Sequence, residues 1–292
     1  PTCGPVPPTA DWQLTDCWSV AFEASAAKPS PSFFPPLKRC RPSPMSNAAN
    51  TSPGAALAHD SALKHTTGEA VYIDDIPLPA DTLHLAVGGA DTAVGTITAV
   101  SLDAVRAAPG VIDVFCAADI PGENDVSPSG RGDEPLLASG EIRFDGEPVF
   151  AVVAASHRAA RAAAALGQVT VRPAEPVLTV DDALSQNRFI SDEQVMTRGD
   201  WREAMQAAPH TTTGTLYCGG QDHFYLEGQI SLAVPQEDGD MLVYCSTQHP
   251  SEIQQHLAKV LNQPAHAITV EVRRMGGGFG GKESQDCQLA AL

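Results

Sequence analysis

The 292-residue sequence predicts an α+β chain of two successive units behind a segment with no core of its own. Three observations carry that expectation. Proline clusters and a lack of periodicity mark residues 1–44, a composition that cannot easily bury a core. From Lys64 to Pro176, short strand-like runs interleave with brief helical ones. After "MTRGD" (196–200) a hairpin, an amphipathic helix and a strand lead into "RRMGGGFGGKES" (273–284), where glycine fills five of six consecutive positions.

The elements follow in order. Met45 opens "MSNAANTSPG", which reads as a natural start, and makes residues 1–44 an unusual extension. "GEAVYIDDIPLP" ends in a proline-bounded turn, and "TLHLAVGGA" reads as an alternating strand. "AVRAAPGVIDVFC" reads as a short helix, a Pro-Gly turn and a strand. "PGENDVSPSGRGDEP" (121–135) is a polar loop. "EPVFAVVAAS" (147–156) is a buried strand, and the helix after it takes Ser156 as N-cap and Gly167 as its stop. "QVTVRP" returns as a strand. In the second unit, "ISLAVP" and "MLVYCST" flank the acidic turn Gln236–Asp240 as a hairpin. "PSEIQQHLAKVLN" places Ile253, Leu257, Val260 and Leu261 on one helical face, with Pro250 in its first turn. "HAITVEVRRM" is the strand that delivers the glycine loop, and "KESQDCQLAAL" reads as the next helix. The chain stops inside that helix, which suggests a fragment.

Composition excludes several classes. A formal net charge of -17 opposes nucleic-acid binding, which rests on neutralising phosphates with Lys and Arg. No apolar run is long enough to cross a bilayer, and no basic, apolar leader opens the chain. Seven cysteines contain no C-x-x-C pair, and nine histidines contain no H-x-x-x-H pair. Reduced thiols in a cytoplasm, and no metal held directly by protein, are the expectation.

The glycine loop admits three readings. Gly276, Gly278 and Gly281 satisfy the dinucleotide pattern G-x-G-x-x-G, and Gly276, Gly281 and Lys282 the core of a phosphate-binding P-loop. The P-loop needs a Ser or Thr hydroxyl where Glu283 stands, and a carboxylate there repels phosphates. The dinucleotide loop belongs after the first strand of a βαβ unit, with an acidic residue about 20 positions later, and neither condition is met. What remains is a turn whose backbone N–H groups face an oxygen-rich ligand, with a carboxylate beside it.

"RRMGGGFGGKES" together with "GGQDHFYLE" (219–227) resembles the molybdenum-binding subunit of xanthine dehydrogenases, in the molybdenum hydroxylase family. Upstream, "GEAVYIDDIP", "DIPGENDV", "DEPLLA" and "GEPVFAVVA" resemble that family's hammerhead-type α/β domain. The resemblance runs from about residue 60 to 288 and implies three segments: 1–59 as a disordered lead-in, 60–176 as the hammerhead domain, and 177–292 as the first part of a molybdopterin-binding α+β domain.

Roles for single residues follow from the resemblance alone. It implies that Gln221 hydrogen-bonds an oxygen ligand of molybdenum, and that Phe279, between Gly278 and Gly280, offers its backbone amide to the metal's apical oxygen. It implies that Glu283 orients a purine. Related aldehyde oxidases tend to carry Ala at the position of Gly278 and an apolar residue at that of Glu283, and this chain follows the purine-oxidising pattern at both. The implied chemistry is purine hydroxylation on a molybdenum–molybdopterin cofactor, with electrons leaving through 2Fe-2S clusters and FAD on a smaller partner subunit to NAD. The general-base glutamate and a substrate-binding arginine are expected downstream, so no catalytic residue is assigned here and the chain alone is expected to be inactive. A non-catalytic scaffold that pairs with other subunits is the alternative from a different class, and an aldehyde oxidase-like or nucleotide-binding protein is a weaker one. Without the resemblance, Gln221 reads as an ordinary polar residue at a strand end, and Glu227 as structural.

Overall fold

The computed structural model describes residues 58–283. The Pro-rich extension lies outside the described residues, as does nearly all of the helix expected after the loop. Helix α1 (Ala62–Thr67) leads into β1 (His84–Gly89), β2 (Gly95–Ser101), α2 (Asp103–Arg106), β3 (Val111–Cys116), β4 (Glu141–Ile142), β5 (Pro148–Ala154), α3 (His157–Ala164) and β6 (Gln168–Pro173). These strands form two antiparallel sheets, ordered β1-β5-β3 and β4-β2-β6.

β5 is central because its apolar run needs cover on both faces. Residues Val149 to Ala154 are all buried, with Leu85 opposite Val153 in β1 and Val114 opposite Val152 in β3. Ala160 and Ala163 let α3 lie close on that sheet, and the Ser156 hydroxyl accepts the Ala159 N–H at 3.2 Å as the expected cap. Gly167 does follow the helix end, but for a packing reason. A Cβ there would lie 2.2 Å from the Phe150 ring, and one on Gly88 would lie 2.0 Å from the same ring. The two glycines make room for the largest side chain of the core. The expected alternation in β1 is absent: Leu85 and Ala86 are both buried, because neighbouring apolar side chains cover one face and α3 the other. β2 is not among the elements read from the sequence, since half its residues face solvent and its apolar signal is weak.

The second unit holds α4 (Val180–Ser185), α5 (Trp201–Ala207), the hairpin β7 (Ser231–Pro235) and β8 (Met241–Cys245), then α6 (Pro250–Val260) and β9 (Ile268–Glu271). β7 pairs antiparallel with β8, and β8 pairs parallel with β9 through the α6 crossover. Ile253, Leu257 and Val260 face Val243, Cys245 and Ile268, as the helical spacing predicts. The loop 121–135 is more than polar surface. Val126, with Leu136 and Leu137 just beyond, enters this same core. The Gly122 and Glu123 N–H groups bond the carbonyls of Val260 and Lys259 at 2.9 and 3.1 Å. They satisfy acceptors that the end of α6 would otherwise leave open. The first unit therefore caps the helix of the second.

Candidate functional site

β9 runs out at Glu271, and the chain is then held from the N-terminal side. Arg274 donates to the Ser61 hydroxyl at 2.8 Å, and Arg273 pairs with Asp60 at 3.4 Å. The glycine loop follows as a series of turns. Gly277 and Gly280 adopt φ of 100° and 94°, while Phe279 between them sits at φ 54°. A left-handed phenylalanine is uncommon and is tolerated where the surroundings demand it. Its side chain is 75% exposed, and its N–H has no acceptor among the described residues. The Gly281 N–H closes the turn onto the Gly278 carbonyl at 2.8 Å.

The strand end at Ser246–Gln248 grips this loop. The Gln248 backbone N–H donates to the Lys282 carbonyl at 2.6 Å, and the Thr247 hydroxyl bonds the carbonyls of Lys282 and Glu283 at 3.1 and 2.9 Å. The Gln248 side-chain carbonyl accepts the Gly280 N–H at 2.8 Å and that of Lys282 at 3.4 Å. Two backbone donors demand that oxygen, so the amide NH₂ points the other way. Beside the free Phe279 N–H, Gln248 thus presents a neutral donor with no acceptor among the described residues. Gly278 is buried under this side chain, and a Cβ added to it would lie 2.5 Å from the Gln248 Oε1.

A second segment crosses the loop from the other side. A Cβ on Gly281 would meet the Tyr225 ring at 2.6 Å and the His223 ring at 2.9 Å, so residues 223–227 lie directly against it. Glu227 accepts the Gly276 N–H at 2.7 Å and the Lys282 ammonium at 2.9 Å. Lys282 is fully buried.

The structure brings Gly278, Phe279, Gly280 and Glu283 into one turn, with Gly278 buried and the other three exposed. The Glu283 carboxylate is about half exposed, with 3.8 Å between it and His249 Nε2. Gln221 lies two residues before His223, in an exposed irregular stretch, and no hydrogen bond joins it to the loop among the described residues. The glutamine whose side chain the structure seats on the loop is Gln248. Sequence reasoning overlooked it, though a polar Ser-Thr-Gln triplet at a strand's carboxyl end, just before a proline-started helix, is the signal that marks such sites.

These residues fit an oxygen-rich cofactor. The loop offers uncommitted amide donors, and glycines on either side allow close approach. They do not fit a phosphate loop, because the Lys282 ammonium is buried and turned away from solvent.

Residues 67–175 match the a/b hammerhead domain of aldehyde oxidase and xanthine dehydrogenase, and residues 182–292 match the molybdopterin cofactor-binding domain. Aldehyde oxidase 2 of Mus musculus is 37% identical over 241 residues, covering 82% of this chain and 18% of that protein. Xanthine dehydrogenase of Drosophila subobscura is 38% identical over 240 residues, covering 81% and 18%. The chain therefore spans 18% of the length of these curated relatives. Among solved structures, quinoline 2-oxidoreductase from Pseudomonas putida 86 superposes with a TM-score of 0.69 at 26% identity, over 81% of this chain and 32% of that one. The aldehyde oxidoreductase of Desulfovibrio gigas shares the fold, with a TM-score of 0.65 at 23% identity over 76% of this chain and 26% of that one.

Proposed function

The chain belongs to the molybdenum hydroxylase family through these two domains, and from that premise we propose that its glycine loop forms one wall of a molybdopterin site in a purine-oxidising enzyme. The observation that carries the reading is the pairing of two uncommitted neutral donors, the Phe279 N–H and the Gln248 amide, on one glycine-lined turn that ends in the Glu283 carboxylate. When bound, the molybdenum cofactor supplies the oxidising centre of the hydroxylation. The residues of this chain do the rest of the local work. Phe279 and Gln248 would hold an oxygen-rich cofactor by hydrogen bonds, and neutral donors fixed in advance would need no reorganisation to do so. Gln221 is the donor that the resemblance implies, and its side chain is exposed. Glu283, anchored through its own carbonyl by Thr247, keeps a half-exposed carboxylate beside His249 that can accept from a ring N–H of the substrate. Iron–sulfur clusters and FAD on a partner subunit, NAD as the final acceptor and a cytoplasmic setting complete the reading as expectations.

Relatives named aldehyde oxidase and xanthine dehydrogenase match at nearly equal identity, so substrate class rests on Gly278 and Glu283 alone. The test uses the whole enzyme, assayed on hypoxanthine, xanthine and an aromatic aldehyde. Removing a hydrogen-bonding charge costs about 1.5–3 kcal/mol, so Glu283→Val is expected to lower purine kcat/KM by about 10- to 150-fold. Aldehyde turnover should change little. Equal losses on both classes would mean that Glu283 supports the loop rather than reads the substrate, and a wild-type preference for aldehydes would favour the aldehyde-oxidising reading. Gln248→Ala and Gln221→Ala, compared for molybdenum content, identify which glutamine serves the cofactor.

A further inference from the structure

Lys282 is among the largest fully buried side chains described in the molecule, and nothing in the proposed chemistry uses it. Its ammonium has three protons to place. One goes to Glu227 Oε2 at 2.9 Å and one to the Ser246 hydroxyl at 2.7 Å, and the group lies 4.8 Å from the centre of the Tyr225 ring. Ser246 in turn donates to the same Glu227 oxygen, so ammonium, hydroxyl and carboxylate form a closed ring. That oxygen also accepts the Gly276 N–H at 2.7 Å. The two ends of the glycine loop, Gly276 and Lys282, therefore meet at one atom. Gln229 adds a bond to the Gly281 carbonyl at 2.9 Å and another to the Tyr225 hydroxyl at 2.8 Å.

Five glycines make the most disorderable backbone a chain can contain. An amide donor held on such a loop is useful only if the loop cannot wander, because electrostatic stabilisation depends on donors fixed in advance. An apolar contact would bury the base of the loop but would not set its orientation. A shared carboxylate oxygen does, since each bond to it has a direction.

We propose that Lys282, Glu227 and Ser246 are positioning residues: their closed ring cinches the glycine loop at its base and thereby sets the Phe279 N–H and the Glu283 carboxylate. The inference rests on the cofactor reading of that loop. A merely structural role would consist in neutralising the buried Lys282 with the largely covered Glu227, and the two roles separate in a double variant. Lys282→Met or Glu227→Gln alone strands a charge and is expected to destabilise the protein. Lys282→Met combined with Glu227→Gln removes both charges, so the melting temperature should return close to that of the wild type.

The test compares the wild type, both single variants and the double variant as whole enzyme. It measures melting temperature, amide hydrogen exchange over residues 276–283, molybdenum content, and kcat and KM separately. In the double variant, loop exchange should be at least about tenfold faster than wild type and kcat about tenfold lower, with KM less affected, as expected for loss of a charged hydrogen bond that orients the turn. Wild-type loop protection and wild-type kcat in the double variant would overturn the proposal, leaving charge neutralisation as the pair's only role. If both single variants fail to fold, the double variant alone decides. A wild type without molybdenum sinks the cofactor reading but not this one, because loop exchange still shows whether the ring holds the turn.

Discussion

The strands between His84 and Pro173 are largely apolar, the stretch from Ala174 to Gly228 mixes scattered large apolar residues with many charged and polar ones, and the two fare very differently. In the first, Leu85, Phe150 and Val152 are sealed from solvent within a registered antiparallel sheet, and Val105 and Ala160 are buried on the helices beside it. In the second, α4 and α5 bury no residue, and Ile190, Met196 and Leu226 are essentially fully exposed. Both helices nonetheless start well: Thr179 accepts the Asp182 N–H, and Asp200 accepts those of Arg202 and Glu203. Good capping makes a helix start. Only a partner surface makes it part of a core. The candidate site lies where the exposed stretch ends and folds onto the packed second sheet, so its geometry depends on the ordered side.

The sharpest way to break this comparison is Phe150→Ala. It removes a ring packed against two glycines and should cost about 3–5 kcal/mol, read by urea or thermal unfolding. Ile190→Ser, by contrast, should move stability by no more than about 0.5 kcal/mol. A comparable loss for Ile190 would mean that the exposed stretch has a partner surface in solution.

Gly278→Ala tests the ordered edge of the site. The added methyl must push the Gln248 side chain aside and so break its bond to the Gly280 N–H. Losing one such bond costs about 1 kcal/mol of stability, because the end of a flexible side chain can yield. The larger consequence should be chemical: the amide donor leaves its place, and the purine-to-aldehyde activity ratio falls. An unchanged ratio and unchanged exchange at Gly280 would show that Gln248 does not set the site.

Acid should loosen the first unit before the loop. Burial, and then the adjacent His157 ring, hold His84 below the ordinary histidine value. A histidine depressed in the folded state gives stability that is present above its unfolded value, near pH 6.5, and is lost as pH falls below it. The acid-unfolding midpoint should therefore move lower in His84→Gln, provided the amide packs in the same space. A variant with the wild-type acid transition would remove His84 from the cause.

The smallest effect is expected at α5. Asp200→Ala removes a cap worth about 0.5–2 kcal/mol to the helix itself. Because α5 buries nothing, hydrogen exchange over residues 201–207 should accelerate while the global melting temperature stays put. A fall in melting temperature would show α5 to be coupled to the core.

Much of this was legible in the residues. The apolar run of β5, the face of α6 and the hairpin around Gln236–Asp240 appear where periodicity and turn chemistry put them. The glycine loop was legible as a turn, because five glycines in six positions continue neither strand nor helix, but not that Gly276, Gly278 and Gly281 are required by the close approach of Glu227, Gln248 and Tyr225. β2 was not, since its outer half is solvent-facing, and neither was the role of loop 121–135. Its few apolar residues sit among Ser, Gly and Asp, and nothing local reveals that they fill a core made by strands more than a hundred residues away.

By itself, then, the sequence determined the buried strand β5, the hairpin, the apolar face of α6, the order of the two domains and the residues of the loop, because caps, periodicity and glycine content act over a few neighbouring positions. Tertiary structure alone decided which side chains meet that loop. It seated Gln248 on the Gly280 N–H, closed Lys282 onto Glu227 across 55 positions, and left Gln221 exposed. Hydrogen bonds reach about 3 Å whatever the separation along the chain, so partners from distant segments exist only once the sheets have packed and fixed the strand ends that carry them.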